Sequence, residues 1–180
     1  SLIAGLDADS YLPLQIAGFE GLGNSLRRRG KSIAAYQTQL SEADQKKLNQ
    51  FYQKIVETAA NPKSPLAQKL EAISVLQFVG FDAAGKTLLD LIQGKNSQAV
   101  KIAAIEAISP YGEAQIGPVL MDGFAQQTPG MRRAILDAML ASQDRTNVLL
   151  DEIEKGEIKI SELGPARSTR LQRNRDAGIK

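Results

Sequence analysis

A segment of about thirty-two residues recurs along this chain. Lys69-Leu-Glu-Ala-Ile73-Ser-Val-Leu76 stands 32 residues before Lys101-Ile-Ala-Ala-Ile105-Glu-Ala-Ile108. The same offset carries Gly80 onto Gly112, Gly85 onto Gly117, Leu88 onto Leu120 and Asp90 onto Asp122. A third copy is shorter: Leu136-Asp-Ala-Met139 lies 31 residues after Ile105-Glu-Ala-Ile108, and Leu149-Leu150-Asp151 lies 29 after Leu120-Met121-Asp122. The lost residues fall between the two matched segments, where a loop shortens at small entropic cost. A unit this small cannot bury its apolar face alone, so it folds by covering the face of its neighbour.

Each copy reads as two helices joined by a turn. In the first copy the apolar residues Leu66, Leu70, Ile73, Leu76 and Val79 are spaced three and four apart, a period near 3.6. The composition agrees, because 23 Ala and 21 Leu outnumber 6 Val and 6 Thr, and this shortage of β-branched residues other than Ile disfavours a large sheet. Ser64-Pro65 supplies an N-cap and first helical residue, Gly80 a C′ position able to take positive φ, Asp82 and Asp144 caps for second helices, and Gly94 a stop. Upstream, 10–29 and 41–60 read as helices, the second opened by Ser41 and Asp44 in capping-box spacing. Ile33-Ala-Ala-Tyr36 is compatible with one short helix between them, and Pro165 opens a last one.

The expected fold is therefore all-α: an α-solenoid, a right-handed stack of helical hairpins. The turn around Gly112 and Pro118, with Leu120 after it, resembles that of HEAT-type repeats. Residues 1–180 form a single helical-repeat domain in this reading, excised from a larger protein. It comprises irregular N-terminal helices over 1–60, repeats over 64–95, 96–128 and 129–158, and a basic C-terminal helix over 159–180 that stops mid-pattern.

What the chain lacks narrows its chemistry. It contains no His, Cys or Trp. That removes disulfides, thiol nucleophiles, imidazole bases, haem-attachment motifs and mixed Cys/His metal sites. No metal site and no cofactor is implied. The apolar runs are too short to cross a bilayer, and Ser1-Leu2-Ile3 does not begin a signal peptide, so no direct membrane insertion is expected. The 22 Lys+Arg and 20 Asp+Glu are unevenly placed: 6 basic and 2 acidic residues fall in 159–180, leaving the body net acidic.

One motif points elsewhere. Gly80-Phe-Asp-Ala-Ala-Gly85-Lys86-Thr87 matches the phosphate-loop pattern G-x-x-x-x-G-K-[ST] at every position, and Val148-Leu-Leu-Asp151-Glu152 resembles the acidic segment that holds Mg²⁺ in nucleotide hydrolases. In such an enzyme the loop amides and Lys86 would cradle phosphates, Thr87 and Asp151 would hold the metal, and Glu152 would orient a water. Three features argue against it. The residues before Gly80 have helical rather than strand periodicity, both glycines recur in the next copy with Pro118-Val119 in place of Lys-Thr, and Leu149-Leu150-Asp151 is itself a repeated element.

Two basic clusters stand out. Arg27-Arg28-Arg29 ends a helix before Gly30, where cations complement the helix dipole. Arg167, Arg170, Arg173 and Arg175 are the candidate interaction surface. A nucleic-acid-binding helical repeat is a third reading, disfavoured because no aromatic residues interleave the arginines and the body is acidic. The aspartates at the repeated position, Asp90, Asp122 and Asp151, read as outward-facing helix residues.

The stretch Leu149-Leu-Asp-Glu-Ile-Glu-Lys155-Gly, then Ser161-Glu-Leu163 and Pro165-Ala-Arg167, resembles part of large bacterial multidomain proteins of the membrane-bound or secreted dehydrogenase-like kind. That resemblance implies a β-propeller before this region, a HEAT-like helical region here and a c-type cytochrome after it, in the cell envelope, periplasm or secreted. With neither Cys nor His, none of the haem ligands can be placed on this chain. The expected role is a non-catalytic scaffold or interdomain spacer whose partner is protein, either adjacent domains or another chain. The fragment itself is expected not to be an enzyme, and no nucleic-acid partner is expected.

Overall fold

The computed structural model describes residues 12–172 and is all-helical, with no strand among them. Ten α-helices run in order: α1 (Leu12–Arg28), α2 (Ile33–Gln37), α3 (Glu42–Ala60), α4 (Leu66–Leu76), α5 (Phe81–Gln93), α6 (Gln98–Ile108), α7 (Ile116–Met121), α8 (Pro129–Met139), α9 (Gln143–Glu154) and α10 (Gly164–Gln172). The helix pairs α4/α5, α6/α7 and α8/α9 fall within 64–95, 96–128 and 129–158. Two 3-10 turns, Phe124–Gln126 and Ile160–Glu162, complete the description.

Local chemistry sets four of the starts. Ser32, Ser41, Thr128 and Ser142 each accept a hydrogen bond from the amide three residues on, at 3.2 to 3.4 Å, which satisfies one of a helix's free first-turn donors. The capping differs from the sequence reading at three places. Ser142, not Asp144, caps α9. Pro65 rather than Ser64 occupies the N-cap of α4. Gly80, not Asp82, is the N-cap of α5, and at φ −62° it needs no left-handed conformation, while Asp82 lies inside the first turn. Positive φ occurs instead at Gly30, Gly123, Gly156 and Gly164 among the described residues.

The chain divides into two compact units, residues 1–107 and 108–180. In unit 1, α4 packs on α1, and α3 packs on both α4 and α5. Its centre is aromatic: the Phe19 ring lies 5.1 Å from Phe51 and 5.7 Å from Tyr52, the latter edge-on. Leu48, Ile55, Ala72, Ile73, Leu76 and Leu88 of the same unit are all fully buried. The buried stripe of α4 begins one turn later than expected. It runs through Lys69, Ala72, Ile73, Val75 and Leu76, while Leu66, the first helical residue, is 52% exposed. Lys69 is only 6% exposed, and its ammonium is not among the buried polar atoms without a partner, as for an aliphatic stem buried beneath a wetter head group.

In unit 2, α7 packs on both α8 and α9, and α8 packs on α9. Ile116, Leu120, Leu136, Met139 and Leu149 form the core, with Ile158 and Leu163 buried beyond α9.

Candidate functional site

The phosphate-loop match lies in a helical setting. α4 precedes it, and Gly85, Lys86 and Thr87 are the fifth to seventh residues of α5. The amides of Ala83 and Ala84 donate to Gly80 O at 3.0 and 3.1 Å, so the segment begins a helical ladder and does not curl its amides around an anion. Lys86 reaches Asp90 four residues on, at 2.6 Å, with both side chains well exposed. Gly85 has a packing role: a Cβ there would stand 2.6 Å from the Phe81 ring. Asp151 is exposed on α9, and Glu152 pairs with Lys155 at 2.8 Å, which raises the lysine pKa. Among the described residues no group of acidic side chains is placed to hold a metal ion.

Among the described residues the most deeply placed charge is Arg145, in the first turn of α9 and 2% exposed. Its Nη1 donates to Tyr111 O and its Nη2 to Ser109 O, each at 2.6 Å. These carbonyls belong to the loop after α6, outside any helical ladder, and the planar guanidinium meets two of them at once. Beside it, Thr146 donates to Ser142 O at 2.8 Å and Met139 O at 3.2 Å. Gly117 lies beside it, and a Cβ added there would stand 3.5 Å from Arg145 Cγ, an ordinary van der Waals contact. Burial lowers the Arg145 pKa and the Glu113 carboxylate opposes the shift. Two polar atoms in this region, Arg145 Nε and Glu113 Oε2, are buried without a protein partner.

A surface groove of about 440 Å³ opens in the same unit, lined by Pro129, Arg132, Arg133, Leu136, Lys159 and Glu162. Thr128 and Pro129 start α8 so that Arg132, Arg133 and Leu136 fall within its first two turns. Lys159 and Glu162 come from the 3-10 turn that Gly156 permits by taking φ +80°. Arg132 Nη1 donates to Glu162 Oε2 at 2.8 Å, and the Lys159 amide donates to Glu162 Oε1 at 3.3 Å.

The predicted arginine surface divides. Arg167 is tied down: Nε and Nη2 donate to Asp137 Oδ1 and Oδ2 at 2.7 and 2.6 Å, a two-pronged carboxylate contact that raises its pKa. It also donates to the carbonyls of Leu163 and Arg133. Arg170 is exposed in the last turn of α10, and Arg173 and Arg175 lie outside the described residues. In unit 1, Arg27 donates to Gln77 and Asn24 and lies over the Phe78 ring at 5.5 Å. It therefore helps to pack the end of α1.

No protein-family model, curated protein or solved structure matches the chain. The site is thus defined by its own geometry. Sequence reasoning missed Arg145, Arg132, Arg133, Lys159 and Glu162. The one signal that could have found two of them is Thr128-Pro129, which fixes a helix start and so places the arginine pair four residues on at its first turn.

Proposed function

We propose that this chain is a non-catalytic helical scaffold, a stack of HEAT-like hairpins that spaces other parts of a larger protein and presents a face to a protein partner. The observation that carries this reading is where the buried polar side chains point. Arg145 and Thr146 serve backbone carbonyls at loop and helix ends instead of converging on a cavity. Packing supports it too: α3 touches both following helices, α4 and α5, and α7 touches both α8 and α9. Neighbour plus next-neighbour contact is what stacked hairpins produce. The context proposed from the sequence of 149–171 is a dehydrogenase-like multidomain protein of the cell envelope, with this region between its redox parts.

Small-angle scattering with a nucleotide-binding control tests the proposal. A compact chain of this length has a radius of gyration of about 16 Å, and the stack is expected to exceed it clearly. A value at the compact limit would sink the stack. A melting temperature raised by Mg·ATP would sink the non-catalytic part and revive the hydrolase.

A further inference from the structure

We propose that the groove lined by α8 and the Ile160–Glu162 turn is a docking site for an acidic peptide segment of a protein partner. The inference rests on the scaffold reading and names the chemistry of its partner. Three cations line the groove, Arg132, Arg133 and Lys159, against a single carboxylate, Glu162. That carboxylate is shared between the Arg132 guanidinium at 2.8 Å and the Lys159 amide at 3.3 Å. Arg133 and the Lys159 ammonium are exposed and enter no ion pair among the described residues. The groove thus holds one carboxylate of its own and carries two positive charges outside any ion pair among the described residues.

Two apolar residues complete the lining. Leu136, 2% exposed, and Pro129 line the groove, and Ile160, 67% exposed, follows Lys159 directly in the turn. A ligand carrying carboxylates beside an aliphatic side chain matches both parts. The volume, about 440 Å³, is in the range that holds a small ligand and suits a few peptide residues rather than a long polyanion. Nucleic acid is the poorer match. Glu162 stands among the cations, and both aromatic side chains described in unit 2, Tyr111 and Phe124, lie outside the groove lining, leaving none there to stack on bases.

The test is a fluorescence-anisotropy titration of the whole chain with a labelled peptide alternating Glu and Leu, run beside its Lys/Leu counterpart and a labelled oligothymidylate. The acidic peptide is expected to bind and the basic one not to. Because the contacts are exposed charges, affinity should fall several-fold between 50 and 300 mM salt. Arg133→Glu with Lys159→Glu should weaken binding by at least about tenfold, since like charges then face the ligand. Both residues are exposed, and an unchanged helical circular-dichroism spectrum confirms that the variant folds. Glu162→Gln should tighten binding by about threefold, because it removes the competing charge while keeping an acceptor for the Lys159 amide. Equal binding of both peptides, loss of affinity in Glu162→Gln, or tighter binding of the oligonucleotide would each overturn the groove assignment. None of these outcomes touches the scattering result, so failure here is distinct from failure of the scaffold.

Discussion

Around Phe19, unit 1 gathers rings and aliphatic chains; around Arg145, unit 2 buries a guanidinium. At the first centre, Phe19, Phe51 and Tyr52 meet tilted or edge-on at 5.1 to 6.3 Å, and stability comes from apolar area removed from water. At the second, a charged side chain is held because two carbonyls of the loop after α6 receive it. The first arrangement tolerates substitution in proportion to volume lost. The second is closer to all-or-none, since removing either side strands buried polar groups. Unit 2 also carries the groove, so the half of the molecule with the more exacting interior is the half proposed to dock a partner.

That contrast can be broken by experiment, the largest effect first. Phe19→Ala should destabilise unit 1 by about 4 kcal/mol, the usual cost of emptying a ring from a packed core. Hydrogen exchange resolved by residue should show the amides of α1, α3 and α4 losing protection. If the loss were confined to α1, the aromatic centre would not unite these helices. Arg145→Ala should cost about 3 kcal/mol, read from exchange in α7 and α9, because Ser109 O and Tyr111 O lose charged donors. Arg145→Lys should recover little, as an ammonium cannot reproduce the flat fork. Full rescue by lysine would mean that charge alone, and not the paired geometry, holds the loop.

A smaller effect separates the units by pH. Burial pushes the Tyr52 phenol well above its ordinary value, so the folded chain keeps a proton that the unfolded chain releases near pH 10. The stabilisation is complete below that pH and is lost as pH rises beyond it, by at most about 1.4 kcal/mol per pH unit. Comparing urea midpoints of the native chain and Tyr52→Phe from pH 9 to 11 isolates the contribution. Parallel curves would show that the phenol ionises in place.

The helices were legible in the sequence because their signals are local. A 3.6-residue period, Ser41 with Asp44, and the stop at Gly94 all act within one or two turns. The places that went differently are those where two residue types compete for one position, as with Ser142 over Asp144 and Pro65 over Ser64 at the caps. The candidate site was not legible, for a different reason. Arg145 binds main-chain oxygens 34 and 36 residues away, and any residue supplies such an oxygen, so the acceptors leave no trace in composition. The groove joins Arg132 to Glu162 across 30 residues, and Arg167 finds Asp137 across the same span. In the sequence Arg167 is one of a row of cations, and only the fold shows that it is engaged while Arg133 is not.

The smallest test uses the repeat itself, because Gly85 and Gly117 occupy the same repeat position in different units. A Cβ on Gly117 would make ordinary contacts, 3.5 Å to Arg145 Cγ and 3.6 Å to Val148, whereas on Gly85 it would press into the Phe81 ring at 2.6 Å. Both glycines are helical, so alanine lowers the entropy of the unfolded chain in each case. Gly117→Ala should therefore stabilise by about 0.5–1 kcal/mol, a gain visible as a small rise in melting temperature. Gly85→Ala should forfeit that gain to displacement of Phe81 and come out neutral or worse. Equal gains at both sites would show that Phe81 moves aside without cost, and that this glycine, matched so well to a phosphate loop, is not held in place by packing either.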